Sequence, residues 1–241
     1  MKIGFFGDSF CEEESNPHSW YYNYETYIRK IKNHYNADIV NLGVGSSSYW
    51  DSIIQQFPKF SNNLPDVSIF CWTDPNRIYH PKIRNLGVWL LSSIPLKDLT
   101  IGQIINHKAY TAAKQYFTHL YDDDKAMREM NAALYQFDRE VLMPIQHKTK
   151  IIHMWSFGQF KEWRGLENTW KTDNLNYNYR WRTGVEIRPA LKCYSPIGRD
   201  STDEGASANH LGSELNNTMV FDRLVEAIDN HKNGLLLTRD V

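Results

Sequence analysis

The sequence predicts an α/β protein of three layers (α/β/α), in which helices cover both faces of a parallel, flavodoxin-like sheet. Short apolar runs recur early in the chain, each run ends at glycine or a turn residue, and segments of helical periodicity separate the runs. Strands that alternate with helices are typical of a parallel sheet, because parallel neighbours need a crossover connection. The chain has 241 residues, 41% of them hydrophobic and 23% charged, which suits one globular domain.

Three strands and two helices account for the first part of the pattern. Lys2–Phe6 is an apolar run that ends at Gly7, as expected of a buried parallel strand. Aromatic and aliphatic residues at helical spacing predict a helix over Trp20–His34, with Ser19 as its N-cap. The other elements predicted here are strands at Asp38–Leu42 and Val67–Trp72 and a helix at Trp50–Phe60 between them.

The rest of the chain predicts further helices and one strand, with two insertions. The irregular segments at about 75–103 and 158–200 are the predicted insertions, and the second is loop-like because it has no clean periodicity. Residues Asp122-Asp123-Asp124 are interpreted as a helix cap rather than a metal site. The predicted elements are a helix over Ile104–Leu120, a long helix from the acidic cap to Gln146, a strand at Lys150–Trp155 and a last helix from near Leu211 that Gly234 stops.

Composition excludes several classes of protein. The chain has 27 Lys and Arg against 28 Asp and Glu, so it lacks the basic excess of a general nucleic-acid binder. No apolar run approaches the roughly 20 residues of a membrane span, and the first apolar run is too short for a signal peptide. The 3 cysteines suggest neither a disulfide framework nor a zinc site. We therefore expect a soluble, cytoplasmic protein with no nucleic-acid partner, and its oligomeric state is left open.

Three short segments follow the first three predicted strands, where ligands of open parallel sheets bind. They are Gly7-Asp8-Ser9-Phe10, Gly43-Val44-Gly45-Ser46 and Trp72-Thr73-Asp74. A serine nucleophile at this edge needs a base, usually histidine, and hydrogen-bond donors for the oxyanion. Taken singly, each segment is also compatible with an ordinary turn or with tight packing of the following helix.

In order along the chain, the segments resemble the sequence blocks of the SGNH hydrolases, the GDSL-type esterases and lipases. Gly7-Asp8-Ser9-Phe10 matches the block that carries the catalytic serine in that family. Asn41-Leu42-Gly43-Val44-Gly45 resembles the second block, whose glycine donates an N–H to the oxyanion hole. Cys71-Trp72-Thr73-Asp74, followed by Arg77, corresponds to the third block, Gly-x-Asn-Asp. Ser207-Ala208-Asn209-His210 stands in the place of the final block, Asp-x-x-His.

The resemblance implies a serine esterase, of the esterase or O-deacetylase type, that acts through an acyl-enzyme. Ser9 is the implied nucleophile and His210 the implied base, with Gly45 and Thr73 in the oxyanion hole. It implies no metal and no organic cofactor. The implied substrate is a small-molecule or carbohydrate ester, and the acceptor is water or, in an acyltransferase, another hydroxyl.

Two positions depart from the family pattern. Thr73 replaces an asparagine, so one oxyanion donor is a hydroxyl or is missing, and a lost donor typically costs about 100- to 1000-fold in rate. Ser207 replaces the aspartate, and Asp203 is among the nearest acidic residues. The base is then oriented by a backbone carbonyl or by a group at Asp203 or Ser207, and the sequence leaves these alternatives open.

Aromatic residues in the second insertion form a candidate substrate platform. Trp163, Trp170 and Trp181 lie there among tyrosines and arginines, and ring faces suit sugars. The alternative is that these rings cover a sheet face or form a subunit contact.

Two other functions remain open from the sequence. A binding module on the same fold, with impaired catalysis, fits the departures at Thr73 and Ser207. A flavodoxin-like nucleotide or phosphate binder would use the Gly4–Ser9 turn as an anion cradle, although no Gly-x-Gly-x-x-Gly or Walker pattern follows the first strand.

Overall fold

A parallel sheet of six strands forms the centre of the computed structural model, which describes residues 1–11, 25–60, 62–83, 86–87, 107–156, 181–187, 211 and 214–237. Its strand order is β2-β1-β3-β4-β5-β6, and each neighbouring pair is parallel. The strands are β1 (Lys2–Gly7), β2 (Asp38–Asn41), β3 (Val67–Trp72), β4 (Lys150–Trp155), β5 (Val185–Ile187) and β6 (Leu235–Leu237). The predicted α/β class is confirmed, and β1 to β5 have the flavodoxin-like order.

Helices connect these strands and cover the sheet. The longer ones are α1 (Tyr27–Tyr35), α2 (His107–His119), α3 (Asp123–Phe137) and α4 (Glu214–Asp229). A π-helical turn over Asp51–Gln56 runs into a 3-10 helix over Phe57–Phe60. After α3, a second π-helical turn over Asp138–Leu142 leads to the short helix Met143–Ile145.

Successive residues of the central strands belong to two different cores. Phe5 packs on the face covered by α1 and α4, whereas its neighbour Phe6 packs on the face covered by α3. Side chains alternate across a strand, so a parallel sheet buried on both faces needs a helical layer on each side. Both phenylalanines are fully buried, and a side chain of this size contributes about 1.5–3 kcal/mol to stability. The predicted three-layer arrangement follows from this alternation.

Several helices begin or end at other residues than the sequence predicts. α1 begins at Tyr27 and not at Trp20, because Thr26 is its N-cap and accepts a hydrogen bond from the Arg29 N–H at 3.3 Å. Ser19, the predicted cap, lies outside the described residues. The predicted helix over Trp50–Phe60 is the π-helical and 3-10 segment, and the last helix begins at Glu214 rather than near Leu211.

Two strands of the sheet were not predicted. β5 lies inside the range that the sequence indicates as loop, because a strand of 3 residues is too short to show a period. β6 follows Gly234, which the sequence places at the end of the last helix. α4 ends earlier, at Asp229, and Gly234 adopts a φ of +76° in the turn that leads into β6. Glycine suits this left-handed conformation because it has no Cβ.

Candidate active site

The loops after β1, β2 and β3 meet at the carboxyl edge of the sheet. β1 lies between β2 and β3. The chain passes from β1 to β2 through α1 on one face and from β2 to β3 through Asp51–Phe60 on the other. This change of direction creates a crevice between the carboxyl ends of β1 and β3, which is where ligands bind in flavodoxin-like sheets.

Two glycines allow the loops to approach each other closely. A Cβ on Gly7 would lie 2.5 Å from the Cys71 carbonyl oxygen, so β1 and β3 could not keep their spacing there. A Cβ on Gly43 would lie 2.7 Å from the backbone of Cys11. The absence of a side chain at Gly43 thus lets the loop after β2 pack against the loop after β1. Gly7 and Gly43 are therefore required by packing, whatever chemistry the edge performs.

Ser9 lies in a turn directly after β1 and is half-buried. The Cys11 N–H donates to the Asp8 carbonyl at 3.1 Å, and the Phe10 N–H donates to Asp8 Oδ1 at 3.0 Å. The Tyr27 hydroxyl donates to the Phe10 carbonyl at 2.7 Å from the start of α1. These three bonds hold the backbone on both sides of Ser9.

Two side-chain amides attach this turn to its surroundings. Gln56 accepts from the Gly7 N–H at 2.6 Å and donates to the Gly7 carbonyl at 2.9 Å. Asn41 donates to the Cys11 carbonyl and accepts from the Gly43 N–H at 2.8 Å. An amide can donate and accept at once, so each of them fixes two backbone groups. No sequence signal pointed to Gln56, because a glutamine in a helical segment is normally an exposed residue.

Asp8 connects the loops after β1, β2, β3 and β4. It is fully buried, and its Oδ1 accepts from the Ser156 hydroxyl at 2.8 Å. Its Oδ2 lies 3.4 Å from Arg77 Nη1, which also donates to the Ser47 carbonyl at 2.9 Å. A buried carboxylate requires a cation or hydrogen-bond donors. Arg77 supplies the charge and ties the second loop to the first.

Three buried polar atoms at this edge have no hydrogen-bond partner in the described part of the chain. They are Asp8 Oδ2, Ser47 Oγ and Thr73 Oγ1, one on each of the three loops. Buried polar groups of native proteins are nearly always hydrogen-bonded, and an unsatisfied one costs roughly 1–3 kcal/mol. The charge of Arg77 compensates Asp8 Oδ2 at 3.4 Å, so the hydroxyls of Ser47 and Thr73 are the groups of this set that have no partner among the described residues.

The predicted oxyanion residues lie at this edge with Ser9. Gly45 is half-buried in a turn closed by the hydrogen bond from the Ser47 N–H to the Val44 carbonyl at 3.1 Å. Within the described ranges, no hydrogen bond is found for the Gly45 N–H. Thr73 follows β3 directly and is 3% exposed. His210, Asp203, Ser207, Trp163 and Trp170 lie outside the described residues.

Leu211, which follows His210 in the chain, is connected to the turn that carries Ser9. Its carbonyl accepts from Asn217 Nδ2 at 3.1 Å, and Asn217 Oδ1 accepts from the Tyr27 N–H at 2.9 Å. Tyr27 in turn donates through its hydroxyl to Phe10. Leu211 is 3% exposed and belongs to the same core as Phe10. No sequence signal pointed to this role of Asn217.

Trp181 packs in the core beneath the sheet edge. It is 5% exposed, and its ring stacks on His153 with 3.6 Å between ring centroids, which leaves little ring surface for a ligand. His153 is fully buried and accepts from Trp72 Nε1 at 3.1 Å through Nδ1. Burial lowers the pKa of His153 well below its ordinary value, and the backbone of Thr183 opposes this only partly. His153 is therefore neutral.

The acidic and metal-ligating residues do not form a metal site in the part of the chain that is described. There, no group of three or more His, Cys, Asp or Glu side chains is arranged to hold a metal ion. Asp122 of the acidic triplet is the predicted cap of α3, since its Oδ1 accepts from the Lys125 N–H at 2.6 Å.

No described helix is both long enough and apolar enough to cross a bilayer.

No protein-family profile matches this chain, and a search of curated proteins finds no significant relative. The chemistry of the site is inferred from its own residues.

Proposed function

We propose that this protein is a serine esterase of the kind found among the SGNH hydrolases, and that it cleaves carboxylic esters through an acyl-enzyme on Ser9. One observation carries the proposal. The three loops at the switch point contribute a serine in a fixed turn, a glycine N–H without a described partner, and the buried, unpartnered hydroxyl of Thr73. A nucleophile beside two oxyanion donors is what acyl transfer needs.

In the first step, the Ser9 hydroxyl oxygen attacks the carbonyl carbon of the ester while His210 takes the hydroxyl proton. The negative charge on the former carbonyl oxygen is stabilised by the N–H groups of Ser9 and Gly45 and by the Thr73 hydroxyl. The bond to the alcohol then breaks, and His210 gives the proton to the departing oxygen. Water, or the hydroxyl of an acceptor in acyl transfer, attacks the acyl-enzyme with His210 as base and frees Ser9.

The hydrogen bonds around Leu211 support the assignment of His210. A residue next to Leu211 in the chain has its Cα about 3.8 Å away. Leu211 is linked through Asn217 and Tyr27 to the carbonyl of Phe10, the residue after Ser9. Leu211, the neighbour of the proposed base in the chain, is thus anchored on the side of the sheet that α1 and α4 cover. Its orienting group is Asp203, Ser207 or a backbone carbonyl.

The departure at Thr73 is compatible with catalysis. A threonine hydroxyl has one proton to donate, and Thr73 Oγ1 has no hydrogen-bond partner in the described protein. The proton is consequently available to an oxyanion, although its reach differs from that of the asparagine in the family pattern.

Labelling with a fluorophosphonate probe, followed by mass spectrometry of the adduct, tests the proposal. The wild-type protein should carry the adduct on Ser9, and His210→Ala should lose it because the serine is no longer activated. His147→Ala, which replaces an exposed histidine on the short connection before β4, is the matched control and should keep it. Absence of any Ser9 adduct in the wild-type protein would contradict the proposal.

A binding module without catalysis is the second candidate. The hydroxyls of Ser47 and Thr73, which have no partner in the described residues, favour it as well, because they call for a bound polar group but not for a reaction. In that case an ester analogue would raise the melting temperature while Ser9 stayed unreactive.

A further inference from the structure

A cavity of about 710 Å³ lies beside the candidate active site. It opens to solvent and is lined by the segment after β2, the loop after β3, and the helices α2 and α3. Cavities that hold small organic ligands have volumes of roughly 300–1,000 Å³. The cavity therefore has the size of a ligand site.

The walls of the cavity are mainly apolar. Trp50, Ile54, Ile78 and Phe117 contribute large side chains, and Ile54 is 48% exposed, which is unusual for an isoleucine. The wall formed by α2 carries small residues, which leave the volume open: Ala109, Ala112 and Ala113.

Two of the polar side chains in the walls have partners within the protein. Arg77 is engaged with Ser47 and Asp8, and the Tyr79 hydroxyl accepts from Gln55 at 2.9 Å. Burial raises the pKa of Tyr49 to about 12, so this wall residue is uncharged at neutral pH. A hydrocarbon group suits such walls better than a sugar, whose hydroxyls each require a hydrogen-bond partner.

Arg77 belongs both to the cavity and to the catalytic edge. It lines the cavity, and its Nη1 lies 3.4 Å from the carboxylate of Asp8, the residue before Ser9. Tyr49 and Trp50, on another wall, follow the loop that carries Gly45. Arg77 thus connects the cavity to the turn that carries Ser9.

The two halves of an ester can be assigned to the two faces of the sheet. The proposed base gives its proton to the alcohol, and Leu211 beside it packs in the core of α1 and α4. The cavity lies on the opposite face, where Tyr49 and α3 contribute to the other core. The face with the cavity offers about 710 Å³ to the acyl group.

We infer that this cavity binds the acyl group of the ester, and that the acyl group is an apolar chain longer than acetyl. The inference rests on the proposed function and specifies its substrate class. Each methylene buried in an apolar site strengthens binding by about fourfold. The preference for longer chains should therefore be large and easy to measure.

The test compares the kcat/KM values for p-nitrophenyl acetate, butyrate, hexanoate and octanoate. In the wild-type protein, kcat/KM for octanoate should exceed that for acetate at least tenfold. Ala112→Trp puts a large ring into the cavity from an exposed position of α2, and it should lower this ratio at least tenfold. Thr111→Trp, at the adjacent exposed position that does not line the cavity, is the control and should keep the wild-type ratio.

A binding measurement separates this inference from the proposed function. Octanoate should bind to Ser9→Ala in calorimetry, and the added Ala112→Trp change should weaken this binding at least tenfold. Hydrolysis at equal kcat/KM across the ester series would overturn the inference and leave the esterase intact. If no ester were hydrolysed, the esterase would be refuted, and octanoate binding that Ala112→Trp weakens would still support the cavity as a site for an apolar chain.

Discussion

The guanidinium of Arg77 lies 3.4 Å from the carboxylate of Asp8, a residue with no exposed surface. The Arg77 side chain is 16% exposed, so both charges are largely removed from water. Removing one partner of such a pair leaves the other charge buried and uncompensated, which typically costs about 3–5 kcal/mol.

Replacing Arg77 by methionine should therefore lower the free energy of unfolding by about 3 kcal/mol, measured by urea denaturation. The control is Lys125→Met, which breaks an exposed pair with Glu129 at 3.5 Å and should change stability by at most about 1 kcal/mol. Equal effects of the two substitutions would show that the Asp8–Arg77 pair is no more important than a surface pair.

Gln56→Leu tests the amide that holds Gly7. The substitution leaves the buried Gly7 N–H without its partner, and an unsatisfied group of this kind costs roughly 1–3 kcal/mol. The Gly7 carbonyl loses one of two donors, because it still accepts from the Val44 N–H at 3.1 Å. Gln55→Leu removes one half-buried side-chain bond to Tyr79 and should cost about 1 kcal/mol. We expect Gln56→Leu to be clearly the more destabilising variant in urea denaturation, and the reverse order would contradict the role of Gln56.

Thr73→Val separates catalysis from stability. Valine has nearly the shape of threonine, and the hydroxyl that it removes has no hydrogen-bond partner in the described residues, so the free energy of unfolding should not fall. The kcat/KM for ester hydrolysis should fall by about 100- to 1000-fold if the hydroxyl binds the oxyanion. A variant as active as the wild type would remove Thr73 from the oxyanion hole.

Stability should depend on pH through His153. Its pKa in the folded protein is far below the ordinary value of about 6.5 that it regains on unfolding, so only the unfolded state binds a proton just below that pH. The stability that the neutral imidazole provides is complete above pH 6.5 and is lost as the pH falls. Each such group adds a slope of at most about 1.4 kcal/mol per pH unit.

His153→Gln should reduce this slope, measured by urea denaturation between pH 6.5 and pH 5. Glutamine has an amide oxygen that can accept from the Trp72 N–H, as His153 Nδ1 does. The substitution therefore removes the titratable ring and keeps an acceptor for this hydrogen bond. Some slope should remain, because burial also lowers the pKa of His231. An unchanged slope would mean that His153 does not contribute to the pH dependence.

The sequence predicts the parts of the fold that are fully buried. β3 and β4 have the predicted bounds, because strands covered on both faces are continuous apolar runs. The predicted start of α1 at Trp20 was wrong. The aromatic spacing continues across Glu25 and Thr26, which are not helical. A periodic pattern alone does not show where an N-cap interrupts it.

The sequence likewise predicts only part of the candidate site. Ser9, Gly45 and Thr73 lie at the sheet edge where the sequence predicts them, because each follows a predicted strand, and their chemical roles stay predictions. The residues that hold the site were not found, because their partners are remote in the chain. Gln56 bonds to a residue 49 positions away, and Ser156 to one 148 positions away. Such pairings depend on the sheet order, which local patterns do not specify.

The bond between Asn217 and Tyr27 joins residues that are 190 positions apart. During synthesis, the turn with Ser9 and the whole of α1 leave the ribosome well before Asn217 is translated. Until α4 docks, the Tyr27 N–H lacks its partner, and Leu211 has no Asn217 amide to hold it. A nascent chain therefore carries Ser9, the proposed nucleophile, long before Asn217 can anchor Leu211, the neighbour of the proposed base. If the two residues act as proposed, esterase activity during translation would mark the completion of the fold rather than the appearance of the serine.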